Sequence, residues 1–175
     1  MKDKKEKKNK EKKHGIWRDI LEVIIAFAVA WLVYQGIALG TGTSMPIVSV
    51  VSHSMYHDNA FDAWWQVNEN FYSKYNITKD VFETFPMSNG LSRGDLIIVV
   101  NDKPKIGDII IYNKFQGFTI VHRVIEIQDS FYITKGDNNA VADSSPVLKE
   151  QFVGRAVFAI PLLGYPRLAL FAIGI

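Results

Sequence analysis

The sequence predicts a mainly β domain behind one N-terminal transmembrane helix, the β part forming a curled antiparallel sheet or partial barrel. Three observations carry that prediction. Eight lysines crowd the first thirteen residues, and no Asp, Glu, Lys or Arg occurs between Val23 and His57. From Arg93 onward, short β-branched runs alternate with Gly, Asn and Asp punctuation. Several short strands with such turns build antiparallel sheets rather than parallel ones, which need long crossovers.

The elements follow in order. Residues 1–19 form a basic tail and residues 20–42 an anchor. The most apolar part, Val23–Leu39, spans about 26 Å as a helix, enough for a thin bilayer core. Trp17 and Tyr34 stand where the two interfaces would lie. The lysine-rich flank predicts a cytoplasmic N-terminus and an extracytoplasmic domain from about Gly42. A buried core helix would show a polar stripe, which this segment lacks. A cleaved signal peptide is the other alternative, since Ala38-Leu39-Gly40 is small-x-small, but the apolar and basic regions are long for one. An uncleaved anchor is the working expectation.

Residues 43–161 are expected to form the extracytoplasmic β domain. Its first part, residues 44–55, reads as an extended segment with β-branched residues. Residues 56–90 are an insertion in which Phe61, Trp64, Trp65, Phe71, Tyr72, Tyr75, Phe82 and Phe85 stand among polar residues. Asp62–Tyr75 suits a helix there. The rings fit either of two roles: a membrane- or substrate-facing flap, or a small satellite core. Strands are predicted at 94–100, 107–112, 118–127, 130–134 and 152–160, with a turn at Gly136-Asp137-Asn138-Asn139. Residues 162–175 are apolar apart from Arg167 and suit membrane association or the start of a second span.

Composition excludes several chemistries. There is no cysteine, so disulfides, zinc-thiolate sites and thiol catalysis are ruled out. Four scattered histidines make no metal site, and no cofactor is expected. The net charge of +2 is concentrated in the tail, which leaves the domain slightly acidic and unlike a nucleic-acid-binding surface.

A serine nucleophile needs a base within hydrogen-bond reach. Ser54 lies about fifteen residues past the apolar run, and its candidate bases are His53, His57 and His122. His53 adjoins Ser54 in a segment read as extended, so the two side chains should oppose each other. His57 falls in a loop. His122 shares a strand face with Ile120 and Val124, which makes it an inward-facing polar residue in need of a partner or a purpose. Asp137 and Asp143 flank the Asn138-Asn139 turn. Either could serve the backbone there or orient a histidine. The residues alone leave that choice open.

Ser52-His53-Ser54-Met55, Arg93-Gly94-Asp95-Leu96-Ile97, Val121-His122-Arg123-Val124-Ile125 and Thr134-Lys135-Gly136-Asp137-Asn138-Asn139 follow one another along the chain, and in that order they resemble the type I signal peptidase family, in its archaeal and endoplasmic-reticulum branch. Ser52-His53-Ser54-Met55 resembles the Ser-x-Ser-Met box. Arg93-Gly94-Asp95-Leu96-Ile97 resembles the Arg-Gly-Asp strand. Val121-His122-Arg123-Val124-Ile125 resembles the box of the general base, with histidine where bacterial members carry lysine. Thr134-Lys135-Gly136-Asp137-Asn138-Asn139, followed by Asp143, resembles the closing box. The chain departs from the pattern in having Tyr56-His57 after Met55 instead of x-Pro, and in the length of the insertion.

The resemblance implies a signal-peptidase-like sheet and a membrane-bound serine endopeptidase that removes N-terminal signal peptides after small residues. It implies Ser54 as nucleophile, His122 as base and Asp143 as the carboxylate that orients it. Asp137 would be a supporting carboxylate, and Ser52 an oxyanion candidate with the Ser54 N–H. Expected partners are preprotein signal peptides, the lipid bilayer and the protein-export translocon, at the cell membrane. A self-cleaving repressor-type protease would use lysine and lack the anchor. A noncatalytic subunit of an export complex, the alternative from another class, would typically lack one of the three catalytic residues.

Overall fold

The computed structural model describes residues 2–114 and 118–172. It divides into two compact units, residues 1–40 and 41–175. The first is a single helix, α1 (Lys2–Thr41). Its stretch Ile16–Thr41 has a mean hydropathy of 2.1 and is long and apolar enough to cross a membrane. One helix cannot bury its own side chains, so Phe27, Trp31 and Leu32 are exposed.

The second unit is a seven-stranded antiparallel sheet that does not close. Its strands are β1 (Ile47–Ser49), β2 (Leu96–Val100), β3 (Ile109–Lys114), β4 (Phe118–Ile127), β5 (Phe131–Lys135), β6 (Val147–Leu148) and β7 (Phe152–Ile160). They lie in the order β1-β2-β7-β3-β4-β5-β6, which leaves β1 and β6 at the edges. Both faces of the sheet are covered. Val48, Ile97, Val99, Ile109, Ile111 and Ala156 fill one core, while Ile110, Tyr112, Val124, Tyr132 and Val147 fill a second. Strand β3 therefore reads as an unbroken apolar run, with alternate residues going to opposite cores.

Residues 44–55 are not extended throughout. The strand stops at Ser49, and the chain turns at 53–56, where the Tyr56 N–H donates to the His53 carbonyl at 3.0 Å. The insertion leaves and returns at one point, because the Leu91 N–H donates to the Met55 carbonyl at 2.8 Å. A long excursion with tied ends disturbs the sheet little, since loop entropy grows only slowly with length.

Within the insertion lie α2 (Phe61–Tyr72), a 3-10 turn (Ser73–Tyr75) and α3 (Lys79–Glu83). The Thr78 hydroxyl caps α3 by accepting from the Val81 N–H at 3.4 Å. The aromatics make a third core. Trp64, Trp65, Tyr72, Ile77 and Phe82 are buried against Ile125 of β4. Trp64 and Trp65 retain only 4% and 3% of their exposure, so these rings are a satellite core and not a lipid-facing flap. Spacings of three and four residues between Phe61, Trp64 and Trp65 put them on one side of α2, toward the sheet. A final helix, α4 (Tyr165–Ala172), contacts β1. It accounts for the described part of the apolar C-terminal segment.

Candidate active site

Three segments converge on Ser54. The turn after β1 carries the serine, β4 carries His122, and the loop after β5 carries Asp143. His122 Nε2 lies 3.1 Å from Ser54 Oγ, and His122 Nδ1 lies 2.7 Å from Asp143 Oδ2. His122 is buried and shares its face with Tyr112, whose ring centroid is 6.5 Å away.

Asp143 Oδ2 accepts two further hydrogen bonds, from Thr134 Oγ1 at 2.5 Å and Tyr112 Oη at 3.0 Å. Burial works against its ionisation. The His122 contact, with the Thr134 and Tyr112 hydroxyls, outweighs burial and holds the carboxyl below its ordinary range. Burial first, then the Asp143 charge, pushes the Tyr112 phenol up, so it remains a neutral donor. An ionised Asp143 can only accept, so Nδ1 of a neutral His122 carries the proton. That leaves the Nε2 lone pair facing the serine hydroxyl.

The 136–139 turn seals the site from below. The Asn138 N–H donates to the Ser54 carbonyl at 2.8 Å, and Asn138 Nδ2 donates to the His53 carbonyl at 3.2 Å. Gly136 leaves no room for a side chain: a Cβ there would lie 2.7 Å from the Ser54 carbonyl oxygen and 2.9 Å from His122 Nε2. Ser52 Oγ is 3.1 Å from Ser54 Oγ, on the opening of the site.

Asp137 belongs to a different cluster. It is fully buried, and Arg123 meets it in a fork, Nε to Oδ1 at 2.9 Å and Nη2 to Oδ2 at 2.6 Å. Tyr72 Oη donates to it at 3.4 Å, and His57 Nε2 lies 3.3 Å away. Burial opposes its charge, but the Arg123 guanidinium and the His57 and Arg123 hydrogen bonds bring its pKa down to about 2. Arg123 spends its remaining donors on the carbonyls of Pro86, Met87 and Gly107, and its guanidinium sits 4.8 Å above the Phe82 ring. This cluster ties the insertion to β4 immediately beside His122.

The other histidines serve elsewhere. His57 stacks on Trp64 with centroids 3.8 Å apart and planes at 8°. His53 is exposed and packs edge-on against Tyr56. Among the described residues, no group of three or more His, Asp and Glu side chains is placed to hold a metal ion.

Ser54 and His122 open onto a cleft of about 710 Å³, whose walls include Val48, Val51, Ile120 and Val121. An apolar trough with one polar corner suits an extended, apolar peptide. Sequence reasoning named Ser54, Ser52, His122 and both aspartates. It missed the Thr134 and Tyr112 hydroxyls on Asp143 and the fork from Arg123. Arg123 stood next to the proposed base inside a recognised motif, and its alternation with Val121 and Ile125 on one strand face, a charge between apolar neighbours, was the unread signal.

Known proteins give the chain's kinship. It is 27% identical to the signal peptidase complex catalytic subunit of Aspergillus terreus, over 86% of this chain and 78% of that protein. The corresponding subunit of Saccharomyces cerevisiae is 28% identical, over 83% and 78%. That of Lodderomyces elongisporus is 37% identical over a shorter stretch, 45% of this chain and 57% of its own. No family model matches the chain, and no solved structure matches it. At about 27% identity over most of its length, and with the motif order described above, the chain has homologues among proteins named as signal peptidase complex catalytic subunits.

Proposed function

We propose that this chain is a membrane-anchored serine endopeptidase that cleaves N-terminal signal peptides from exported preproteins. One observation carries the reading: the hydrogen-bonded line from Ser54 through His122 to Asp143, set at the polar corner of an apolar cleft. The relatives' naming as signal peptidase catalytic subunits points the same way.

This geometry supports a serine-protease mechanism. Ser54 Oγ attacks the scissile carbonyl as His122 Nε2 takes its proton. Asp143 holds the ring by Nδ1 and stabilises the imidazolium that forms. Charge on the tetrahedral oxygen is met by the Ser54 N–H and the Ser52 hydroxyl. His122 then protonates the leaving amine, and a water activated by the same ring hydrolyses the acyl-serine. Asp137 supports the site by neutralising Arg123. The preference for small residues near the cut is carried over from the family resemblance, with Val48, Val51, Ile120 and Val121 as the apolar walls that would receive them.

The α1 helix would anchor the enzyme in the cell membrane. Its basic end would face the cytoplasm and the catalytic unit the other side. Substrates would then be delivered by the export translocon. The test is cleavage of a preprotein by the purified full chain in detergent, read as the N-terminus of the product. Cleavage after a small residue that disappears in Ser54→Ala supports the reading. Equal cleavage by Ser54→Ala overturns it.

A further inference from the structure

Lys135 is a fully buried lysine that the mechanism above does not use. It ends β5, one residue before the turn that seals the site. Its Nζ donates to Asn68 Oδ1 of α2 at 3.3 Å, to the Gly136 carbonyl at 3.2 Å and to the Asp137 carbonyl at 3.0 Å. The rings of Phe71 and Tyr72 lie 5.1 and 5.0 Å from it. An ammonium has three N–H donors, and here it has three oxygen acceptors and two ring faces.

The clamp leads directly to the nucleophile. The next N–H along the turn, from Asn138, holds the Ser54 carbonyl, and Gly136 packs against that same carbonyl and His122 Nε2. We propose that Lys135 is a positioning residue: its ammonium, gripped by Asn68 of the insertion, fixes the turn that holds Ser54 and His122 in register. The inference rests on the peptidase reading above and adds to it a role for the insertion.

The charge on Lys135 is part of the device. A neutral amine has two N–H groups and a lone pair, so one of the three acceptors would face a lone pair. The charged and titratable groups around it are Asp137 and Asp143 from the loop, Arg123 from β4 and Tyr72 from α2. Burial lowers its pKa most. Asp137 and Asp143 pull it up and Arg123 pushes it down, leaving it at about 8. Deprotonation should therefore loosen the turn and give cleavage an alkaline limb.

Stability moves the other way. The folded-state pKa lies below the unfolded value of about 10.4, so between the two the unfolded chain binds the extra proton. Through Lys135, native stability rises with pH across that window while the rate falls. A lysine with a merely structural role would not separate the two.

The test compares kcat and KM on one preprotein from pH 6 to 10, with the purified full chain as wild type, Lys135→Met, Asn68→Asp and Ser54→Ala. Lys135→Met should lower kcat about 10–100-fold with KM within about twofold, as a misplaced nucleophile does, and should lose the alkaline limb. Asn68→Asp gives the ammonium an anionic acceptor and should move the alkaline midpoint up by about one pH unit. Ser54-dependent cleavage with a wild-type kcat and an unchanged limb in Lys135→Met overturns this inference alone. Should that variant not fold by near-ultraviolet circular dichroism, Asn68→Asp decides, and an unshifted midpoint overturns the inference. Wild-type cleavage that persists in Ser54→Ala overturns the peptidase reading and this inference with it.

Discussion

Asp137 and Asp143 lie six residues apart in one loop, yet they occupy opposite kinds of surroundings. Asp137 is sealed from solvent and faces a permanent cation, Arg123. Asp143 is part-buried and faces a titratable ring, His122, with hydroxyls from two strands steadying it. A carboxylate locked to a guanidinium has no proton to manage, and its charge stabilises structure. One locked to an imidazole sets which nitrogen carries the proton. The partner, more than the position in the motif, decides the role.

Of the two aspartates, Asp143 carries the larger expected effect on chemistry, though less than loss of the base itself. Asp143→Asn leaves the volume intact but no longer selects the Nδ1–H tautomer, so kcat should fall about 10³–10⁴-fold. Its melting temperature should stay near that of the wild type. Steady-state cleavage beside thermal denaturation checks both halves. A large melting loss with an unaffected rate in the folded fraction would reverse the roles of the two aspartates.

Asp137→Asn should do the opposite. It leaves Arg123 buried without its counter-charge, which costs about 3–5 kcal/mol. Denaturant unfolding should show that loss, and a stability within about 1 kcal/mol of wild type would break the comparison.

The satellite core under the Asp137 cluster gives the next effect. Trp64→Ala opens a cavity against Tyr72 and Phe82 and should cost roughly 3–5 kcal/mol, less where the site collapses. The chain with α1 deleted should bind vesicles no differently with or without this substitution. Lost vesicle binding at an unchanged melting temperature would restore the flap reading.

Acid provides the smallest and finest test. Asp137 has a folded-state pKa of about 2, below the unfolded carboxylate near 3.9. Its contribution is present above pH 4 and is lost as pH falls from about 4 to about 2, on the order of 2 kcal/mol. Acid unfolding of wild type should steepen in that window. A flat stability profile there would contradict the buried ion pair.

Much of this was legible before any coordinates. Strands β2 and β3 announced themselves because Gly94-Asp95 and Gly107-Asp108 introduce β-branched runs, β4, β5 and β7 showed as further β-branched and aromatic runs, and alternation placed His122 inward with Ile120 and Val124. From the residues alone the two aspartates could not be told apart, since both flank the Asn138-Asn139 turn; the family resemblance pointed to Asp143, and the tertiary contacts with Arg123 and Tyr112 are what distinguish them. The turn at Ser54 was hidden by the valines before it, which have strand character whether or not they pair. Trp64 and Trp65 were ambiguous for a physical reason: an aromatic stripe on a short polar helix serves a core or a lipid interface equally well. Lys135 was visible within a motif, but its burial depends on α2 folding over it.

The central claim is that His122 is the base for Ser54, and one measurement addresses it most directly. The purified full chain and its His122→Ala variant, matched for folding by near-ultraviolet circular dichroism, are compared for preprotein cleavage at one pH. The account predicts a loss of at least about 10³-fold in kcat, since nucleophile and base act as a unit. A folded His122→Ala variant that cleaves at the wild-type rate would contradict the account.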